Sequence, residues 1–114
     1  MGADSFVNIY AAKSGSLGVL TETFNAAVDR ARWDYGHAGY TGTIAEKHSF
    51  RFIARCENEE AALALAHKML DEEDPRIADK WGPAGAITYP RATGAGTLDA
   101  RVIEAVIFFG WASS

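Results

Sequence analysis

The chain predicts an α+β fold: one antiparallel or mixed sheet with two helices on one face, in a ferredoxin-like order β-α-β-β-α-β-β. Three observations predict it. Several short runs rich in Val, Ile, Phe and Tyr read as strands. Two longer stretches repeat their apolar residues at helical spacing. Gly, Pro, Ser or Asn separates these segments throughout. At 114 residues, with 48% apolar and 23% charged residues, the chain suits one domain spanning 1–114 with one core.

The elements follow in order. Ser5–Ala12 contains Phe6, Val7, Ile9 and Tyr10 and reads as the first strand. Lys13-Ser14-Gly15-Ser16-Leu17-Gly18 is a loop by composition. Leu20, Phe24, Ala27, Val28, Ala31 and Tyr35 then form one apolar stripe of a helix. Ser16 or Thr21 suits its cap, and Gly36 its end. Thr43–Lys47 is expected as a short strand, turning near Lys47-His48 into a hairpin with Ser49–Cys56. Asn58 opens the second helix, with Glu59 and Glu60 favouring the positive end of its dipole. Ala62, Leu65, Ala66 and Met69 form its stripe, and it should stop before Pro75. Ala84–Tyr89 and Arg101–Ala112 are the last strands, joined by a Gly/Thr-rich connection.

The net charge of −4 lacks the basic face that duplex nucleic acid requires, while leaving room for one small anion in a local pocket. A single cysteine, Cys56, permits no intrachain disulfide. Met1–Asn8 lacks the basic start and apolar run of a signal peptide, and no apolar run is long enough to span a bilayer. These features read as a cytoplasmic protein without membrane partners. Long strand edges in a small chain predict a homodimer or higher homo-oligomer.

Three segments carry candidate chemistry. In the first, Lys13, Ser14 and Ser16 join a strand to a helix start, where backbone N–H groups and a cation suit a phosphate. The second, His37–His48, packs two histidines, Tyr40, Thr41, Thr43, Glu46 and Lys47 into one Gly-containing stretch. Tyr40 suits base stacking. Thr41 and Thr43 suit ribose or phosphate oxygens, and Lys47 suits a phosphate. His37 or His48 suits acid–base work, with Glu46 orienting it. In the third, Arg91 opens a Gly/Thr-rich loop able to close over an anion. The histidines show no metal-binding spacing, so no metal and no cofactor is expected.

Gly39, Tyr40, Thr41, Gly42, Thr43, Ile44, Glu46 and Lys47 resemble a G-Y-[ST]-G-T-I-x-E-K motif of short, mostly uncharacterised bacteriophage and actinobacterial proteins. The similarity runs from the first helix to the second strand. The resemblance implies a small phage accessory protein, of a class in which some members counter host defence by capturing or degrading nucleotide signals. The expected function is therefore to bind and sequester a nucleotide-derived molecule, with a host immune signal as the candidate. The alternatives are a hydrolase or phosphodiesterase acting on such a nucleotide, and a protein–protein inhibitor with no small ligand. The acidic run Asp71–Asp74 and the helix before it would be the contact surface of that inhibitor.

Overall fold

The computed structural model describes residues 2–12, 16–35, 42–92 and 102–113, with only the backbone of Tyr35, Arg91, Ala92, Val102 and Ile103. Its elements are β1 (Ala3–Ala12), α1 (Leu17–Tyr35), a 3-10 turn (Ile44–Glu46), β2 (Phe50–Arg55), α2 (Glu59–Asp71), β3 (Ala84–Ala92) and β4 (Val102–Ser113). The four strands form one mixed sheet in the order β1-β4-β3-β2. β4 is antiparallel to both β1 and β3, and β2 is parallel to β3. Thus β1, β2 and β3 point one way and β4 the other.

This order differs from the expected ferredoxin-like one in two respects. Thr43–Lys47 is not a strand. The Thr43 hydroxyl accepts from the Ala45 amide at 3.2 Å and caps a 3-10 turn instead, so no hairpin precedes β2. Gly42 enters that turn with φ 68°, a conformation that favours glycine. Its amide donates to the Ser113 carbonyl at 2.8 Å, tying the segment to the end of β4.

The helices also lie on opposite faces rather than one. Leu20, Phe24, Ala27, Val28 and Ala31 of α1 pack with Phe6, Ala84, Ala86, Val106 and Phe108. Ala62, Ala66, Met69 and Leu70 of α2 pack with Ile87, Tyr89, Ala105, Ile107 and Phe109. The two sets alternate along β4, and alternate strand residues point to opposite faces. The topology supplies the reason. The β1–α1–β2 connection travels from one edge of the sheet to the other, and β2–α2–β3 travels back. Crossovers of one hand that run in opposite directions must cover opposite faces. Residues 105–109 of β4 are accordingly inaccessible on both sides.

Local signals hold at the start of α1 and at both ends of α2, while Gly36, the expected end of α1, lies outside the described residues. Ser16 precedes α1, its hydroxyl accepting from Val19 N at 3.4 Å and its carbonyl from Leu20 N at 3.0 Å. Thr21, the other candidate cap, instead donates back to the Leu17 carbonyl at 2.8 Å. Asn58 caps α2 by accepting from Ala61 N at 2.8 Å, and α2 ends four residues before Pro75. Leu70 joins the buried stripe of α2 while Leu65 is only half-buried. Trp33 and Trp81 are exposed, at 78% and 56%.

No helix of the described residues is long and apolar enough to cross a membrane.

Candidate functional site

α1 lies over the middle of its sheet face and leaves a cleft on each flank. The larger, about 500 Å³, separates α1 from β1 and is lined by Tyr10, Ala11, Ala12, Val19, Glu22, Thr23, Ala26, Ala27 and Arg30. Its origin is local. Ala12 on the strand faces Ala26 and Ala27 on the helix, and three methyl side chains cannot fill the space between the two backbones. A recess of about 170 Å³ adjoins it, shares Tyr10, Ala27 and Arg30, and adds Asn8, Ala31, Asp34 and Ile44.

Tyr10 is the aromatic group of this cleft. Its ring packs against Phe108, with centroids 5.9 Å apart. Burial pushes its phenol above the ordinary value, against a smaller lowering by the Asn8 side chain. The hydroxyl therefore stays protonated at neutral pH and can donate. Arg30 is the cation. It contacts Asp34 one helical turn on at 3.5 Å, with 80% of its side chain exposed. A pair so solvated holds its partner weakly and leaves most of the guanidinium donors available.

The second cleft, about 270 Å³, lies on the β2 side of α1 and is lined by Leu17, Thr21, Phe24, Asn25, His48, Ser49 and Phe50. Its floor is the aromatic contact of Phe24 with Phe50, whose centroids are 5.2 Å apart. Exposed His48 thus sits beside the first turns of α1, which begin directly after Ser16.

The other expected site residues fall differently. Lys47 is 1% exposed and stays inside the fold. Its Nζ donates to the carbonyls of Asp79 (3.2 Å), Lys80 (3.3 Å) and Gly82 (3.0 Å). An ammonium has three donors, and these carbonyls take all three. Lys47 therefore pins the loop between α2 and β3 to the segment before β2, a structural task in place of a phosphate contact. Burial pushes its amine below the ordinary lysine value, with Asp79 opposing the shift. Thr43 and Glu46 are half-buried at the 3-10 turn. Lys13, Ser14, His37, Tyr40 and Thr41 lie outside the described residues, as does the side chain of Arg91. On the strands, Arg55 bonds Glu104 at 2.8 Å.

The sequence reading passed over Tyr10, Thr23 and Arg30. One signal was available. Val19, Thr23, Ala26 and Arg30 recur at helical spacing along a flank next to the apolar stripe, and mix small with polar residues. Which strand that flank would meet depends on the sheet order. Among the described residues, no group of three His, Cys, Asp or Glu side chains is placed to hold a metal ion. Comparison with family models, curated proteins and solved structures finds no match to this chain.

Proposed function

We propose that the cleft between β1 and α1 binds a nucleotide-derived small molecule, and that the protein sequesters it without turnover. The observation that carries this reading is the cleft itself. Its volume of about 500 Å³ suits a nucleotide-sized ligand, since small-molecule sites span about 300–1,000 Å³. The walls combine apolar surface with a few polar groups, the composition that such sites favour. Tyr10 offers a ring for a base, Arg30 a fork of donors for a phosphate, and Thr23 and Glu22 partners for ribose hydroxyls. From Ala12 the chain continues into Lys13, Ser14 and Ser16, whose composition also suits phosphate.

The alternative is a hydrolase acting on the same ligand, for which the Glu22 carboxylate of this lining is a candidate base. The motif resemblance at Gly39–Lys47 supplies the setting: a phage-encoded anti-defence protein that removes a host immune signal from solution.

The test is thermal unfolding with a panel of mono-, di- and cyclic nucleotides and ADP-ribose derivatives, followed by recovery and analysis of each ligand. A ligand at 100 times its dissociation constant should stabilise the fold by about 2.7 kcal/mol. Stabilisation with intact ligand, weakened in Tyr10→Ala, supports capture in this cleft. Stabilisation with altered ligand moves the function to a hydrolase, with Glu22 of this cleft and exposed His48 of the β2-side cleft as the residues to replace. A panel without any stabilisation rejects the nucleotide reading in favour of a protein partner.

A further inference from the structure

The two edges of the sheet are built differently. β2, at one edge, has six residues, a register shift between Phe52 and Ala54, and two arginines, Arg51 and Arg55. Short length, bulges and positive charge are the means by which natural edges resist pairing with another chain. β1, at the other edge, has ten residues in unbroken register with β4, from Ala3↔Ser113 to Ala12↔Glu104. Its one charged residue is Asp4, and it contains no lysine, arginine or proline. None of the described residues outside β4 forms a backbone hydrogen bond with it. On the face covered by α2, Ile9 and Ala11 are exposed and Val7 is half-buried. Among the described residues, this apolar row therefore runs beside an open line of backbone donors and acceptors.

We infer that β1 is a self-pairing edge: two copies of this chain join β1 to β1 antiparallel about a two-fold axis, making one continuous eight-stranded sheet. The occupant is a second copy because the strand suits its own reverse. With pairing centred on Asn8, each Ile9 lies opposite Val7 of the other copy, and each Tyr10 opposite Phe6. Asp4 then falls opposite Ala12, so no like charges meet across the pair. An isologous contact of this kind closes on itself and leaves the blunted β2 edges as the only free ones. Because Tyr10–Ala12 belong both to the edge and to the large cleft, the pairing also places both clefts on the seam, one at each end. The inference stands without the proposed ligand.

The experiment is sedimentation analysis of the full chain, beside Ile9→Lys, Ala11→Lys and the opposite-edge variant Phe52→Lys, with circular dichroism to confirm folding. Ile9, Ala11 and Phe52 are all exposed, so none of the three changes buries a charge in the monomer. The wild type should sediment at twice 12.3 kDa. Ile9→Lys and Ala11→Lys should raise the dimer dissociation constant by about tenfold or more with folding kept, a shift of about 1.4 kcal/mol. Phe52→Lys should remain dimeric. A monomeric wild type overturns the inference. So does wild-type dimer affinity in both β1 variants, or dimer loss confined to Phe52→Lys.

Discussion

The two faces of the sheet carry the same kind of cover, one helix each, yet differ in how completely they are filled. On the α2 face, Met69, Leu70, Ile77, Ile87, Ile107 and Phe109 close the core, and the loop after α2 is held down by the buried Lys47. There is so little space that a Cβ added at Gly85 would lie 2.5 Å from the Phe109 ring and 3.0 Å from Ile77. On the α1 face, alanines on both sides of the β1–α1 contact leave a cleft of about 500 Å³. The difference teaches that the tight face supplies rigidity and the loose face supplies room. Changes on the α2 side should therefore cost stability without altering ligand affinity, and changes in the cleft should alter affinity.

Lys47→Met is expected to have the largest effect. It removes the donor shared by three carbonyls and should cost about 2–4 kcal/mol, read as a lower urea midpoint with an unchanged slope. A loss under about 0.5 kcal/mol would show that the carbonyls find water instead. Gly85→Ala comes next. The Phe109 ring must move to admit the methyl group, at a cost of about 1–3 kcal/mol in the same assay. Stability unchanged in Gly85→Ala would mean that the two faces do not differ in packing.

Tyr10→Ala tests the loose face. It should weaken ligand binding by about 1–3 kcal/mol if the ring stacks a base, read by calorimetric titration with the ligand found in the thermal panel. Wild-type affinity in this variant would move the site out of the β1–α1 cleft. Asn58→Ala removes the cap of α2 and should cost about 1 kcal/mol, with affinity unchanged. A change in affinity here would break the separation of roles.

The smallest effect is a pH dependence at the end of α2. Asp74 accepts from Arg76 at Nε and Nη2, both at 3.0 Å, and this guanidinium and the Arg76 amide hold its carboxyl down to about 2 from an ordinary 3.8. A depressed carboxyl contributes stability above its unfolded value and loses it as pH falls through its folded value. Wild type should lose that contribution between pH 3.8 and about 2. Asp74→Asn should lack this component of the acid loss. Identical acid profiles in the two proteins would show that the exposed contact is fully screened.

Most of the secondary structure was legible because its signals are local. The α1 stripe from Leu20 to Ala31 follows from a period of 3.6. The α2 cap at Asn58 follows from a side chain reaching its own helix. The apolar run of β4 follows from a strand covered on both faces. The Thr43–Lys47 segment misled because a threonine that caps a turn and a threonine in a strand look alike until the next amide is placed. Lys47 misled for a related reason. In a sequence it is a mobile cation, and only the approach of Asp79, Lys80 and Gly82, more than thirty residues on, makes it a buried anchor.

The α+β class, both helices, the Asn58 cap and the β4 strand were legible in the sequence, because periodicity and capping act within a few residues. Tertiary structure alone decided the order β1-β4-β3-β2, the placing of the helices on opposite faces and the cleft beside Tyr10. Each of those depends on which strand lies beside which, and strand neighbours are set by the direction and hand of long connections rather than by the residues within them.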